Sequence, residues 1–337
     1  MSIRTCRVSV CLPVFNGEKF IAEALDSILN QTFRDIEIII SDNGSQDRTQ
    51  AICQSYADKD DRISYHRVMK NRGPAWNFNN SYRQATGEYL KWMAHDDLCE
   101  PDFLERAVAV LDAEPDVVLC HAKWARIDEN KAVIKHSEQL PDYELARASD
   151  RFGSLIHMDQ RHHSGVEIFG LIRMSALKGI NQPPIGNFAH GDRLTLAALS
   201  LMGRFHRLPE PLLLNRTHAG RSMVFDPKRT WRGHTRVGQR LGIGPIPPDE
   251  WFDPVWEGRI TFPDWRILWQ YWRALTPASL PPMERVRCGV HIGRRAIARA
   301  PKLLRDLLIA GEQSLAFFPE ELRRKRTISE ASAGSSK

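Results

Sequence analysis

Ile36-Glu37-Ile38-Ile39-Ile40-Ser41, followed directly by Asp42-Asn43-Gly44-Ser45, decides the fold. A near-continuous β-branched run that ends in a turn cluster reads as a strand buried on both faces, and such strands belong to parallel sheets covered by helices. Upstream, Arg7–Leu12 is a second run of this type, closed by Pro13 and Asn16-Gly17, after which Phe20, Ala24, Leu25, Ile28 and Leu29 fall at helical spacing. Downstream the alternation continues with a helical stretch through Ile52 and Tyr56, a short strand at Ile63–Val68, a helix at Pro74–Ala85 and a strand at Tyr89–Met93 that ends at His95-Asp96-Asp97. The pattern predicts an α/β fold, a Rossmann-like, mostly parallel sheet flanked by helices, with ligands bound at the carboxyl ends of its strands. Further along, Pro101–Ala113 and Asp192–Leu201 read as helices, and Val117–His121, Glu167–Arg173 and Leu212–Asn215 as strands.

The 337 residues are 42% hydrophobic and 26% charged, which is ordinary for a globular protein of about two domains. No uncharged apolar run approaches the roughly 18 residues of a membrane span, and the first ten residues lack the apolar core of a signal peptide, so the expected location is the cytoplasm. Six cysteines show no CxxC pair, which argues against a disulfide framework or a zinc site. The net charge of +6 is unevenly spread: residues 226–337 hold 20 Lys+Arg against 12 Asp+Glu. Six of the nine tryptophans also lie after residue 226, so the chain is read as a domain over 1–225, a Trp-rich basic helical region over 226–322 and a disordered tail over 323–337. The basic helices from Glu284 to Leu308, interrupted by Pro301, have two readings: a solvated face with its apolar side on the first domain, or peripheral attachment to an anionic membrane. No nucleic-acid-binding motif accompanies the charge, so no nucleic acid partner is expected.

No GxGxxG follows the first strand and no GxxxxGK[ST] occurs, which removes the dinucleotide and P-loop readings. What remains is a set of loops rich in Asp and Asn. Asp42-Asn43 and Asp96-Asp97 end neighbouring strands and would lie along one sheet edge. Vicinal carboxylates suit a hard divalent cation such as Mg²⁺ or Mn²⁺, although an Asp-Asp pair taken alone is more often a solvated turn. The histidines His157, His162 and His163 lack metal-ligand spacing and read as a loop near an acceptor entrance; Trp76 and Trp92 read as core.

Taken together, the motifs resemble those of the family 2 glycosyltransferases of the GT-A fold, over residues 7–223. The resemblance is carried by Pro13-Val14-Phe15-Asn16, Asn30-Gln31-Thr32, Ser41–Asp47, Asn71-Arg72-Gly73, the run Gly87–Asp97 and Pro101–Glu105, all in family order. It implies a nucleotide-sugar transferase fold with a C-terminal helical extension. It also implies a nucleotide pocket from Pro13, Phe15, Asn16, Asp42, Asn43 and Arg72. Asn43 stands where many relatives have Asp against the base; its carbonyl accepts a uracil N–H, while its amide offers a donor as well. By the same likeness Asp96 and Asp97 match the acidic metal motif, with Asp97 ligating the ion, Mn²⁺ or Mg²⁺, together with His218. Arg216 and Arg221 are then available for the diphosphate, and Phe169-Gly170 forms a glycine loop against the sugar. His190-Gly191-Asp192 occupies the place of an acidic dipeptide whose second member, here Asp192, is the base. Ala94 and Gly191 replace residues that are often acidic in relatives.

The implied activity is inverting transfer of a sugar from a nucleoside-diphosphate sugar, a UDP-sugar being the expected donor, to a hydroxyl of a glycan, glycolipid or other acceptor. A catalytically silent nucleotide-sugar-binding protein on the same fold is the alternative, suggested by Ala94 and Gly191. A sugar nucleotidyltransferase would start with a glycine-rich basic loop, and Leu12–Glu18 offers none.

Overall fold

The two β-branched runs lie side by side as parallel strands β1 (Val8–Val14) and β2 (Ile36–Asp42), with Leu12 opposite Ile40 and Val14 opposite Asp42. In this computed structural model the described residues are 6–136, 144–158, 165–180, 183–220, 231–242, 248–276 and 280–315. Ile38, Ile39 and Ile40 are almost wholly buried, each contributing roughly 1.5–3 kcal/mol by removal from water.

The remaining strands are β3 (Ile63–Arg67), β4 (Tyr89–Trp92), β5 (Leu98–Cys99), β6 (Val117–Ile127), β7 (Val133–His136), β8 (Leu171–Arg173) and β9 (Arg204–Arg216). They form one nine-stranded sheet in the order β3-β2-β1-β4-β8-β6-β9-β5, with β7 on β6. β1, β2, β3 and β4 are mutually parallel, as are β6 and β9; β8, inserted between β4 and β6, is antiparallel to both. The carboxyl ends of β1, β2, β3, β4, β6 and β9 therefore share one edge.

Helices α1 (Ile21–Leu29), α2 (Thr49–Ala57), α3 (Pro74–Gln84) and α4 (Phe103–Ala113) follow the first strands. α1 buries Ile21, Ala24, Leu25 and Ile28, the stripe expected of its spacing. α3 begins with Pro74, whose missing N–H costs a first helical turn nothing. Its entry needs Gly73: φ is +85°, and a Cβ there would stand 2.4 Å from the Phe252 carbonyl oxygen.

Three expectations change on the structure. Glu167–Arg173 is not one strand but a 3₁₀ turn, Val166–Phe169, leading into the short β8. Val117–His121 continues to Ile127, and Leu212–Asn215 is only the end of the thirteen-residue β9. β6 and β9 pair along their whole length, with register irregularities around Ala122, Lys123 and Trp124 that absorb Pro209 and Pro211.

The second half adds α5 (Ala148–His157), α6 (Met174–Gly179), α7 (Gly191–Met202), the short α8 (Trp231–His234), α9 (Arg236–Leu241) and α10 (Asp249–Phe252), and then α11 (Pro263–Ala274) and α12 (Pro282–Ala298). A further helix covers 300–315. The change of texture near residue 226 does not interrupt the core. Ile267, Tyr271, Cys288 and Ile292 are buried in the same cluster as Trp92, Phe152, Leu194 and Leu196. The tail 323–337 lies outside the described residues. Among them no helix is long and apolar enough to cross a membrane, and all six cysteines are unbridged and buried.

Candidate active site at the carboxyl edge of the sheet

The loops after β1 and β2 are stitched into one ledge. Backbone N–H groups of Asn16, Gly17 and Glu18 donate to Ser45 Oγ, Thr49 Oγ1 and Asp47 Oδ2, and Asn16 Oδ1 accepts from the Gln46 N–H. Asn16 takes a left-handed conformation at φ 51°, which Asn tolerates better than most residues. This arrangement leaves Phe15 and Asn16 exposed at the rim. Arg72 is exposed as well, its guanidinium 4.9 Å from the centre of the Trp76 ring.

Other members of the expected pocket are spent on holding the ledge. Pro13 is buried in β1 opposite Ser41. Asp42 is buried: Oδ1 accepts from the Ser45 N–H, and Oδ2 accepts from Tyr65 Oη at 2.6 Å with Arg67 Nε 3.4 Å away. Asn43 is buried too, its amide donating to Asn71 Oδ1 and the Gly73 carbonyl while its carbonyl accepts from the Arg72 N–H. Pro13, Asp42 and Asn43 therefore brace the loops 43–48 and 71–73 and have almost no surface of their own to offer a ligand. Tyr65 and Asn71 complete the brace; an exposed-looking Tyr in a short strand carries no sequence signal for that role.

The second group joins the β4 loop to the end of β9. Asp97 is held by Asn215, whose amide donates to both carboxylate oxygens at 3.1 Å, and by the Arg216 N–H at 2.8 Å. Burial pushes its pKa up to about 7; Asp96 adds to the rise, and the Arg216 N–H, Asn215 and Lys91 act against it. Asp97 lines a small cavity with Lys91, Trp124, Val166, Phe169 and Asn215. Lys91 is wholly buried in β4, its ammonium donating to the Phe169 carbonyl, and burial lowers its pKa. A lysine in the otherwise apolar Tyr89–Met93 was a legible anomaly.

Asp96, not Asp97, faces His218. Asp96 Oδ2 and His218 Nε2 stand 2.9 Å apart, with side chains only 15% and 9% exposed. The two are in hydrogen-bond contact here, and an imidazole nitrogen and a carboxylate oxygen this close would suit one divalent cation between them. Among the described residues no cluster of three metal-ligating side chains occurs, so the protein would supply these two ligands and leave the rest to diphosphate and water. Asp97, expected on the metal, is turned to other partners here: Oδ1 accepts from Asn215 and the Arg216 N–H and Oδ2 from Asn215, three of about four acceptor positions.

Arg216 is also reassigned. Its side chain is fully buried, with Nε on the Asp96 carbonyl at 2.8 Å, Nη1 on the Glu129 carbonyl at 2.9 Å and Nη2 on Glu23 Oε2 at 2.8 Å. It stacks 4.5 Å above the Phe20 ring, which in turn lies 4.7 Å from the His218 ring. Arg216 locks α1, the β6 end and the β4 loop together and has no group left for a diphosphate. Arg221 lies outside the described residues, as do His162 and His163. His157 packs against His291 at a ring distance of 5.4 Å.

Asp192 lies on another wall, in the first turn of α7, where the macrodipole favours a carboxylate. Its Oδ1 accepts from the Arg193 N–H at 2.8 Å, and its Oδ2 is 3.2 Å from where a Cβ on Gly165 would stand. Gly165 leads into the 3₁₀ turn whose Val166 and Phe169 line the Asp97 cavity, so that turn separates the two walls. Gly170 is explained by packing rather than by an open face, since a Cβ there would be 2.7 Å from the Cys120 carbonyl oxygen. Gly191 has a similar cause: its Cβ would meet the Gly186 carbonyl oxygen at 2.4 Å. The 183–190 loop thus occupies the space that a side chain at 191 would need. Gly191→Ala is expected to cost about 1–3 kcal/mol, measurable by denaturant unfolding, and an unchanged midpoint would contradict this packing account.

Residues 9–173 match the family model described as "Glycosyl transferase family 2". An uncharacterized glycosyltransferase of Rickettsia typhi is 39% identical over 116 residues, 34% of this chain and 35% of that protein. GalNAc(5)-diNAcBac-PP-undecaprenol beta-1,3-glucosyltransferase of Campylobacter jejuni is 40% identical over 92 residues, 27% of this chain and 30% of that one. The chain spans about a third of the length of these curated relatives. Among solved structures, S. aureus TarS 1-349 in complex with UDP superposes with a TM-score of 0.57 at 17% identity, covering 87% of this chain and 73% of that one. TarS 1-349 in complex with UDP-GlcNAc gives 0.52 at 15% identity, covering 92% of each chain. That likeness shows the GT-A type of fold. On the motif order, the sheet and the family model, residues 9–173, just under half of the chain, match glycosyl transferase family 2.

Proposed function

We propose that the chain transfers a sugar, with inversion, from a nucleoside-diphosphate sugar to an acceptor hydroxyl, using a divalent cation held by Asp96 and His218. The observation that carries this reading is the Asp96–His218 pair at the sheet edge, 2.9 Å apart and braced from behind by Arg216 and Asp97. Phe15 offers a nucleobase an aromatic face, and Arg72 offers the donor an exposed cation on the neighbouring loop. UDP and UDP-GlcNAc in the TarS complexes, and the lipid-linked glycan in the name of the Campylobacter relative, support a UDP-sugar and a glycan or glycolipid acceptor.

In this reading Asp192 accepts the acceptor's hydroxyl proton as its oxygen attacks the anomeric carbon. The bond to the diphosphate oxygen breaks on the opposite face and its electron pair leaves with the nucleoside diphosphate. The cation, when bound, supplies Lewis-acid stabilisation of that leaving group. Arg216 keeps Asp96 in place through its carbonyl, and Asn215 holds Asp97 beside it. No second carboxylate is assigned to the sugar's other face, which is the basis for inversion. The cramped packing at Gly191 gives a structural reason for a glycine there, independent of whether the chain is a catalyst or a silent binder.

Thermal unfolding with UDP or GDP, each with and without Mn²⁺ or Mg²⁺, tests donor recognition. A ligand at 100 times its dissociation constant stabilises by about 2.7 kcal/mol, so UDP plus cation should raise the midpoint clearly above UDP alone. No response to any nucleotide with cation would sink the reading. Stabilisation without transfer or donor hydrolysis would favour the silent binder.

A further inference from the structure

α12 buries Cys288, Ile292 and Arg295 against α5 and α11 and leaves the opposite side apolar. Met283, Val286, Val290 and Ile297 are 62%, 61%, 48% and 78% exposed. Their spacing of three, four and seven residues puts them in one stripe of about 21 Å at 1.5 Å per residue. Trp269 and Trp272 of α11 are exposed too, and the Trp272 ring lies across Gly289, 3.4 Å from where its Cβ would be. Two indoles thus stand beside the α12 stripe on a helix pair whose other sides are already packed.

The exposed charges carried by these last helices themselves are of one sign, and the exposed Asp150 of the neighbouring α5 lies beside Cys288 and His291. Among described residues 263–315 the exposed ionisable side chains are Arg273, Arg285, Arg287, Arg294 and Lys302, and no acidic residue is exposed. Each carboxylate of the region is already engaged: Asp264 pairs with Arg299 and Arg305, Asp306 with Arg232, and Glu312 accepts from the N–H groups of Arg236 and Val237. Glu284 accepts from the Ser149 N–H and pairs with Arg287.

We propose that the α11–α12 face seats on an anionic lipid bilayer. Apolar side chains and indoles enter the headgroup boundary while the surrounding arginines meet lipid phosphates, the division of labour of an interfacial helix. A second copy fits less well: an isologous contact would oppose the arginines of two chains, five exposed cations on these helices against the single neighbouring Asp150. Nucleic acid would use the cations but leave the aliphatic stripe without a partner.

The test uses the full chain, without sugar donor or acceptor, and so stands apart from the catalytic reading. Vesicles of phosphatidylcholine alone and of phosphatidylcholine with phosphatidylglycerol are sedimented at low and high salt while tryptophan emission is recorded. Binding should be at least about tenfold stronger to the anionic vesicles, with a blue shift on binding, and should weaken as salt rises. Val286→Ser with Val290→Ser, and separately Arg285→Gln with Arg294→Gln, should each cut vesicle binding roughly tenfold while leaving the unfolding midpoint and nucleotide response unchanged. Equal or absent binding to the two vesicle types overturns the proposal. So does a stable dimer in solution that Val286→Ser with Val290→Ser dissociates, or retention by an unrelated DNA duplex as strong as by anionic vesicles.

Discussion

Asp192→Asn should slow sugar transfer by about 10²–10⁴-fold, the range that a positioned general base contributes, with donor binding retained. The substitution keeps size and hydrogen-bonding reach at the start of α7, and the amide oxygen still accepts from the Arg193 N–H. The fold should therefore survive, apart from a loss of a few tenths of a kcal/mol from the macrodipole. The measurement is kcat in a transfer assay beside a nucleotide-dependent thermal shift on the same protein. A fully active variant would move the base elsewhere, and the 3₁₀ turn beside Gly165 would then be the place to search. Loss of both transfer and nucleotide response would instead mean that Asp192 acts on the donor.

The two vicinal carboxylates should separate just as sharply. Asp96→Ala removes one of two proposed ligand atoms and should lower cation-dependent donor affinity by tenfold to a hundredfold or more, since even outer-shell changes at metal sites cost about that much. His218→Ala should fall in the same class. Asp97→Asn, by contrast, keeps one oxygen for the Arg216 N–H but turns its amide against the Asn215 amide that now donates to both carboxylate oxygens, so it should cost stability more than cation dependence. Titrating Mn²⁺ at fixed UDP for the three variants distinguishes the roles. Should Asp97→Asn abolish the cation response while Asp96→Ala leaves it intact, the assignment is reversed. Arg216→Ala is expected to lose about 3 kcal/mol or more of stability, because three carbonyl contacts and the Glu23 pair disappear from a fully buried side chain.

The parallel core was legible because β1 and β2 are buried on both faces and need uninterrupted apolar runs. β9 was legible only at its end: Arg204-Phe205-His206-Arg207 and the prolines at 209 and 211 break the alternation that marks a strand, and pairing with β6 overrides it. The 3₁₀ turn at Val166–Phe169 hid inside an apolar stretch too short to show a period. That Asp96 and Asp97 end β4 at the carboxyl edge was readable, but their different partners were not. Two adjacent carboxylates are chemically alike, and what distinguishes them is Asn215 and Arg216, more than a hundred residues away in sequence. Arg216 misled for the same reason: an arginine in a polar motif looks available until its partners on α1 and the 128–129 turn are known. Ser45 lies in the same turn as Asp42, but nothing local announces that Tyr65, on the next strand, takes its other oxygen.

The shared core of the sheet and the last helices bears on how this enzyme family could be recombined. Tyr271 meets Phe152 edge-on at 6.0 Å, and Arg295 reaches the Ile156 carbonyl, so α11 and α12 are fitted to this particular α5 and its neighbour α7. A chimera that joins residues 1–225 to another relative's tail would exchange one half of a matched surface and strand the other. Moving the cut back to α5 does not help, because that piece would carry off β8 and β9, which pair with β4 and β6 in the middle of the sheet. The last helices are therefore tied to the sheet as a whole and to α7, the helix that carries the proposed base.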